Sequence, residues 1–180
     1  MEPIPHANID VAPDTLNLKN KGNWITVYVE LPEGYNVSDI DRTTVLLNDT
    51  IPVDPSWVNA PLESVIGDYD DDTVPDLMVK FNRTAVSEYI LSKGFKYGNV
   101  TLTMTGKLSD NTPFEGNDTI MVRMPGDVDC NGKVDIGDTA LVASRYGKPN
   151  ADPYYDVNED GKMNMQDVAL VAVNFGKTYS

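Results

Sequence analysis

Oxygen-bearing side chains recur near the C-terminus at a spacing suited to binding a divalent cation. Residues 127–138 and 156–167 are two 12-residue stretches, and the second begins 29 residues after the first. A hard cation such as Ca2+ takes about six to eight oxygen ligands, and a loop of this length supplies them from positions 1, 3, 5, 7, 9 and 12. The predicted ligands are Asp127, Asp129, Asn131, the Lys133 carbonyl, Asp135 and Asp138 in the first stretch, and Asp156, Asn158, Asp160, the Lys162 carbonyl, Asn164 and Asp167 in the second.

Two features favour calcium loops over the alternative interpretation, a pair of Asx-rich turns in an acidic protein. Gly132 and Gly161 fall at position 6, where a calcium loop bends sharply and a Cβ would obstruct the chain. Both stretches continue into matching apolar segments, residues 138–148 and 167–177. Because the whole unit occurs twice at a fixed period, we predict two loop–helix units packed on each other.

The two predicted helices must bury an apolar core of their own. We expect the loops to lie back to back and to pair at position 8, which is apolar in both copies. The core predicted from the pattern contains Val134, Ala140, Leu141, Met163, Ala169, Leu170, Val173 and Phe175. So small a core does not stabilise about 50 residues unaided, and calcium is therefore expected to be required for folding.

This repeat closely resembles the dockerin family. Both stretches end in Asp at position 12, where an ordinary EF-hand has Glu, and Gly126 leaves no room for a helix entering the first loop. A loop followed by an exiting helix, twice over, is the dockerin pattern. The resemblance implies a small all-α, EF-hand-like domain over residues 125–180 that binds two Ca2+ ions. It also implies docking onto a cohesin domain of another protein, as in cellulosome-like assemblies.

The surface that meets the partner is predicted from what the helices leave exposed. Well-known dockerins carry Ser-Thr or similar residues at positions 10 and 11, where this chain has Ile and Gly, then Met and Gln. Exposed apolar residues beside a structured loop favour an apolar contact, and Arg and aromatic residues are common interface anchors. The predicted partner-binding residues are Ile136, Gly137, Arg145, Tyr146, Met165 and Gln166. Ser144 and Asn174 are also expected to be exposed, and so is Val173, although the pattern places Val173 in the core as well.

The rest of the chain, residues 1–124, has the pattern of a β domain. Short alternating segments are separated by Gly, Pro, Asn and Asp turns, and about seven such strands are typical of an immunoglobulin-like sandwich. The clearest predicted strands are 24–31, 44–47, 77–81, 100–105 and 119–124, with one helix at 85–93. The predicted fold class is thus a mainly β, immunoglobulin-like N-terminal sandwich joined to a small all-α domain.

A third acidic loop lies inside the predicted β domain. Asp68, Asp70, Asp72, the Val74 carbonyl and Asp76 occupy positions 1, 3, 5, 7 and 9 of the same calcium spacing. The loop departs from the pattern, because Thr rather than Gly stands at position 6 and no acidic residue stands at position 12. A solvated acidic turn remains the alternative. Crowded carboxylates repel one another unless a cation neutralises them, and this favours a third calcium site.

The net charge and the N-glycosylation sequons limit which partners and which cellular location are expected. With 28 acidic and 14 basic residues, the net charge is −14, which argues against nucleic acid or an anionic membrane surface as a partner. No apolar run approaches about 18 residues, so no membrane insertion is expected. Five N-glycosylation sequons, at Asn36, Asn48, Asn82, Asn99 and Asn117, favour a secreted or cell-surface glycoprotein.

The sequence contains no recognisable catalytic motif, and we expect no enzymatic activity. The alternative function left open is a carbohydrate-binding or adhesion fragment whose calcium sites are purely structural. Its sugar platform would come from Trp24, Trp57, Tyr89 or Tyr97, although core packing is the expected role of Trp24. The single cysteine, Cys130, is either a reactive thiol or an inert residue at loop position 4, and the inert interpretation is favoured.

Overall fold

The computed structural model describes residues 4–20, 22–148 and 154–179. The strands are β1 (Asn8–Ala12), β2 (Thr15–Asn17), β3 (Trp24–Glu30), β4 (Ile40–Leu47), β5 (Ile51–Pro52), β6 (Ile66–Gly67), β7 (Asp76–Asn82), β8 (Gly98–Leu108) and β9 (Pro113–Arg123). The α-helices are α1 (Pro55–Val58), α2 (Arg83–Ser92), α3 (Ile136–Arg145) and α4 (Met165–Asn174). No helix in these described ranges is long and apolar enough to cross a membrane.

The strands form two sheets, so the mainly β prediction is confirmed. One sheet has the order β1-β3-β7-β6 and the other the order β2-β9-β8-β4-β5. β3 pairs antiparallel with both β1 and β7, and its alternate residues Ile25, Val27 and Val29 are buried. This period of two is what a half-buried strand requires. The immunoglobulin-like arrangement of the two sheets stays a prediction.

All five predicted strands coincide with observed ones, and four strands were missed. The predicted segments lie in β3, β4, β7, β8 and β9, and the predicted helix coincides with α2. β5 and β6 have two residues each, and β2 has three, too few to show a period. β1 alternates over only five residues beside a Pro-rich terminus. The described part of the chain thus contains nine strands rather than about seven.

The chain divides into two compact units. In described residues, the first unit comprises 4–13, 23–86 and 101–120, and the second comprises 14–20, 22, 87–100, 121–148 and 154–179. The first unit therefore holds most of the β structure. The second unit gathers β2 and the last residues of β9 with both C-terminal helices. The sequence-based boundary at 124/125 stays a prediction, and residues 149–153 and 180 of the predicted C-terminal domain lie outside the described residues.

The core of the second unit differs in part from the predicted one. Val134 and Met163 are buried as expected, and Leu141 and Leu170 are half-buried against them. The prediction was wrong for four residues that are exposed, namely Ala140, Ala169, Val173 and Phe175. Their places are taken by Val128, Val142, Val157 and Val171. The reason is that the buried Asp138 and Asp167 fix which helix face points inward, and the next inward residue lies four positions later.

The position-8 residues also pair differently from the prediction. Val134 donates its N–H to the Lys177 carbonyl (2.9 Å), and its carbonyl accepts the N–H of Gly176 (2.8 Å). The corresponding contact of the other copy joins the Gly147 N–H to the Met163 carbonyl (3.4 Å). Each position-8 backbone therefore bonds to the segment that follows the opposite helix, rather than to the opposite loop.

Candidate metal centres

Helices α3 and α4 begin in the same way, with the last loop residue built into the first turn. Each has a reciprocal capping box, formed by Asp135 and Asp138 at α3 and by Asn164 and Asp167 at α4. The side chain at the N-cap accepts a backbone N–H, and the carboxylate three residues later accepts the N-cap N–H. An anionic side chain in the first turn is also stabilised by the helix dipole. The sequence thus places a carboxylate where each loop closes and each helix begins.

The closing carboxylates are buried and tied back to the start of their own loops. Asp138 Oδ1 accepts the N–H groups of Val128 (2.6 Å) and Asp129 (3.2 Å), and its Oδ2 accepts that of Asp135 (2.8 Å). Asp138 is fully buried. A carboxylate offers about four lone-pair sites, so these three donors leave acceptor capacity for a cation.

The second loop repeats this arrangement bond for bond. Asp167 Oδ1 accepts from Val157 (3.0 Å) and Asn158 (3.3 Å), and Oδ2 accepts from Asn164 (2.9 Å). Asp167 is likewise fully buried. The duplication seen in the sequence therefore extends to the hydrogen bonds that hold the closing ligand.

The first carboxylate of each loop is held at the position-6 glycine. Asp127 accepts the N–H groups of Asn131 (3.0 Å) and Gly132 (3.0 Å). Asp156 accepts those of Asp160 (3.2 Å) and Gly161 (2.7 Å). The glycines have φ values of 84° and 80°, the left-handed region that L side chains rarely adopt. Glycine at position 6 is thus explained by the bend that turns its N–H toward the first ligand.

Carboxylates crowd together in the first loop. Oxygens of Asp127, Asp129 and Asp138 lie within 4.8 Å of one another. Burial raises the pKa of Asp127 to about 6, and the charges of the neighbouring Asp138 and Asp129 raise it further. The N–H groups that Asp127 accepts have the opposite effect on its pKa, but they do not outweigh burial. The ligand set is entirely oxygen, which fits Ca2+ rather than a softer metal.

The second loop has three carboxylates at its ligand positions, where the first loop has four, because Asp160 replaces Asn131 while two other positions change from Asp to Asn. Asn158 and Asn164 stand where the first loop has Asp129 and Asp135. Burial again raises the pKa of the first carboxylate, Asp156, and the nearby Asp167 and Asp160 contribute. Both loops therefore present oxygen ligands whose negative charge is poorly solvated without a cation.

The third loop, in the first unit, has the same internal hydrogen bonds. The N–H of Asp72 donates to Asp68 (3.0 Å) and Asp70 (3.2 Å), that of Thr73 donates to Asp68 (3.1 Å), and that of Val74 donates to Asp72 (2.8 Å). These are the bonds that positions 5, 6 and 7 make in the other two loops. Thr73 has φ 80°, so it adopts the position-6 conformation without being glycine.

Asp76 closes this third loop in place of a position-12 residue. Its Oδ2 accepts the N–H of Tyr69 (2.9 Å), which is the position-2 N–H that Asp138 and Asp167 accept elsewhere. Asp76 is buried, which raises its pKa, and the nearby Asp70, Asp72 and Asp68 add to this. The missing acidic residue at position 12 is therefore compensated by the residue that begins β7.

Sequence reasoning missed Glu30 at the third loop. A carboxylate oxygen of Glu30, from the end of β3, lies within 4.8 Å of oxygens of Asp70 and Asp72. Burial raises its pKa, and Asp72 is the largest charge contribution. No local pattern could have identified Glu30, because it lies about 40 residues before the loop and only the pairing of β3 with β7 brings it close.

Most of the predicted partner-binding residues are exposed. Ile136 is 72% exposed, Met165 61% and Tyr146 53%, and Arg145 and Gln166 are exposed as well. Gly137 is half-buried and donates its N–H to the Asp135 carboxylate (2.7 Å). Asn174 was wrongly expected to be exposed. It is buried, and its amide donates to the Leu170 carbonyl (2.7 Å) while its oxygen accepts from the Lys177 ammonium (2.7 Å).

Cys130 has the properties of an inert thiol. Burial raises its pKa to about 11, against the opposing effect of the Arg123 guanidinium. The thiolate is the reactive form, and at neutral pH this side chain is almost entirely protonated. The structure therefore favours the inert interpretation over a reactive thiol.

Two indole rings form an open cleft in the first unit. The rings of Trp24 and Trp57 are 6.1 Å apart between centroids at 77°, and Lys80 Nζ lies 4.4 Å from the Trp57 centroid. The cleft has a volume of about 400 Å³ and is also lined by Ser56, Ala60 and Ser64. Trp24 is 39% exposed, so its expected role in core packing was wrong.

Comparison with known proteins bears on the C-terminal segment. No curated protein and no solved structure is similar enough to the chain to count as a match. Residues 125–175 match the family model described as Dockerin type I domain. The matched residues contain both duplicated loops and helices α3 and α4. The match supports a dockerin in this segment, as the loop spacing, the closing Asp residues and the duplication predict.

Proposed function

We propose that this chain is a calcium-dependent assembly module whose dockerin segment binds a cohesin domain of another protein. The observation that carries the proposal is the pair of loops with matching ligand positions and matching hydrogen bonds, within the segment that the dockerin family model matches. Dockerins in general act through calcium-dependent binding of cohesins. The chain itself is proposed to be non-catalytic and to act at the cell surface or in the extracellular space. Four of its sequon asparagines, Asn36, Asn82, Asn99 and Asn117, are exposed.

Calcium in each loop would neutralise carboxylates that the fold has gathered and partly buried. The first loop would hold it with Asp127, Asp129, Asn131, Asp135 and Asp138 together with the Lys133 carbonyl, and the second with the corresponding residues 29 positions later. The protein's part is to aim these oxygens. Backbone N–H groups orient the first and last carboxylates, and the closing carboxylate also caps its helix. Helix formation and metal binding are thereby coupled.

The docking surface is proposed to be apolar, with unequal contributions from the two copies. Ile136 and Met165 are exposed at matching positions beside the loops. Further along each helix, the second copy exposes Val173 (73%) where the first has Ser144. The charged Arg145 of the first copy stacks on the Tyr155 ring at 4.9 Å, whereas its counterpart Asn174 is buried. The second copy therefore presents the more apolar and less charged face.

The test is binding to cohesin domains encoded in the same genome, with a variant that changes only the exposed apolar side chains. Ile136→Ser combined with Met165→Ser is expected to weaken cohesin binding by about 2 kcal/mol, at roughly 25 cal/mol per Å² of apolar area. Ile4→Ser, which removes an exposed apolar side chain of the first unit, is the matched control and should bind as the wild type does. Wild-type affinity in the double variant would place the docking surface elsewhere.

A third calcium ion is proposed in the first unit, where it would stabilise the loop that leads into β7. The support is the shared hydrogen-bond pattern and the closing position of Asp76. Asp68, Asp70, Asp72, Asp76 and the Val74 carbonyl would hold the ion. Calorimetric titration of the chain should then count three bound calcium ions rather than two. A count of two with all three loops folded would refute the proposed third site.

Carbohydrate binding is a second candidate function, and the cleft between Trp24 and Trp57 is the observation that favours it. Arg42 holds the cleft wall by donating to the carbonyls of Trp57 (2.8 Å) and Ala60 (2.7 Å). Indole faces beside hydroxyl groups suit the apolar faces and hydroxyls of a sugar ring. A glycan array on which Trp57→Ala loses all signal would support this function. Loss of cohesin binding in the same variant would instead assign the cleft to the protein partner.

A further inference from the structure

The position-2 residue of each C-terminal loop is held by hydrogen bonds to both its N–H and its carbonyl. The N–H groups of Val128 and Val157 donate to the closing carboxylates Asp138 and Asp167. The carbonyl of Val157 accepts from Asn20 Nδ2 (2.8 Å), and the carbonyl of Val128 accepts from Arg123 Nη1 (3.4 Å). These two donors belong to the same compact unit as the loops but lie outside the duplicated sequence.

Arg123 is a fully buried cation that reaches both copies. Besides the Val128 carbonyl, its Nη1 donates to the carbonyl of Tyr154 (2.6 Å), just before the second loop, and the guanidinium lies 5.4 Å from the Tyr154 ring centroid. Its Nε donates to Asn17 Oδ1. A buried charge is tolerated only when such partners are in place. The loops and this side chain therefore depend on one another for their positions.

Asn17 connects the same arginine to the second loop. Its side chain is buried, accepts from Arg123 and donates through Nδ2 to Glu159 Oε1 (2.7 Å). Glu159 occupies loop position 4, where φ is 59° and the backbone is strained for an L side chain. The parallel pairing of β2 with β9 places Asn17 opposite Arg123.

We propose that Asn17, Asn20 and Arg123 are positioning residues for calcium, and that the functional calcium module includes residues 14–20 and 121–123 as well as the repeat. Asn20 and Arg123 act through the position-2 residues, whose N–H groups bind the closing carboxylates, and Asn17 acts through Arg123 and through Glu159 of the second loop. Groups that hydrogen-bond metal ligands directly change affinity by about 10- to 100-fold when removed, and these residues act one bond further out, so we expect the lower end of that range. The inference rests on the proposed calcium binding and adds residues that neither the loop spacing nor the family match contains.

The test uses the full chain labelled with 15N, stripped of metal and titrated with CaCl2. The amides of Gly132 and Gly161 report the two loops separately, because each donates to the first carboxylate of its own loop. In Asn20→Ala, the midpoint at Gly161 should rise about tenfold, and the midpoint at Gly132 should rise clearly less, because the two copies share a core but only the second loop loses a hydrogen bond. Asn20→Leu should behave like Asn20→Ala, since what matters is the lost N–H donor. Lys19→Ala, at an exposed neighbouring position, is the matched control and should change neither midpoint.

The outcomes separate this inference from the function on which it rests. Wild-type midpoints at both glycines in Asn20→Ala would overturn the positioning role, and so would an equal loss at both, because that indicates general destabilisation. A wild-type chain in which neither amide responds to CaCl2 would overturn the calcium proposal itself. Arg123→Met extends the test: both midpoints are expected to rise while the circular dichroism of the calcium-saturated variant matches wild type, and a changed spectrum would indicate general destabilisation instead. If Arg123→Met does not fold, Asn20→Ala still decides the inference.

Discussion

Replacing the closing carboxylate of one loop should disable that loop and leave the other functional. Asp138→Asn keeps the size of the side chain but removes its charge and turns one acceptor oxygen into a donor. Asp138 accepts three backbone N–H groups, from Val128, Asp129 and Asp135. Hydrogen bonds to charged groups contribute about 1.5–3 kcal/mol each. A tenfold change in calcium affinity corresponds to about 1.4 kcal/mol, so the loss of even one of these bonds is expected to weaken binding about tenfold. Loss of a charged calcium ligand adds to this.

We therefore expect Asp138→Asn to weaken calcium binding at the first loop by at least about tenfold. Asp167→Asn should do the same at the second loop, where the three accepted N–H groups are equivalent. Isothermal titration calorimetry measures both affinities, and Glu88→Gln, an exposed carboxylate on α2, is the charge-matched control. If both loop variants bind two ions in this module at wild-type affinity, the ligand assignment fails.

Three further predictions concern metal and pH. Removing calcium with EDTA at pH 7 should abolish the helical circular-dichroism signal of α3 and α4 while the β signal survives, and an unchanged helical signal would contradict metal-dependent folding. The pKa of Asp127 is raised to about 6 in the folded chain, so protonation of Asp127 stabilises the folded state when no metal is bound. Its contribution to stability is fully present below about pH 4 and is lost as the pH rises through about 6, so metal-stripped protein should be more resistant to urea at pH 4.5 than at pH 7. Asp76→Asn should reduce the calorimetric count of calcium ions by one and lower the thermal midpoint of the first unit in calcium, whereas an unchanged count would show that Asp76 is not a ligand.

The loops were predictable because their information is local. Ligands, glycines and helix starts all lie within 12 residues of one another, and the second copy repeats them. Even the third loop, which departs from the pattern at two positions, forms the same internal hydrogen bonds. What spacing could not reveal is that Asp76 takes the closing role, because this depends on where β7 begins.

Hydrogen bonds between distant segments could not be predicted from the sequence. Asn17 and Arg123 are separated by 106 residues, and Asn20 and Val157 by 137, so no periodicity links them. The helix core was misassigned for a different reason. The pattern treated Val173 and Phe175 as inward apolar residues, but burial of Asp167 rotates the inward face onto Val171. A polar residue that is buried for metal binding therefore misleads a prediction made from hydrophobic pattern alone.

The most direct test of the central claim is a calorimetric titration of this chain with cohesin domains encoded in the same genome, in calcium and again in EDTA. We expect a 1:1 complex with at least one of these cohesins in calcium and no measurable binding in EDTA. Binding of equal affinity under both conditions would contradict the calcium-dependent mechanism. Absence of binding to every cohesin in calcium, with both loops loaded, would contradict the assembly function.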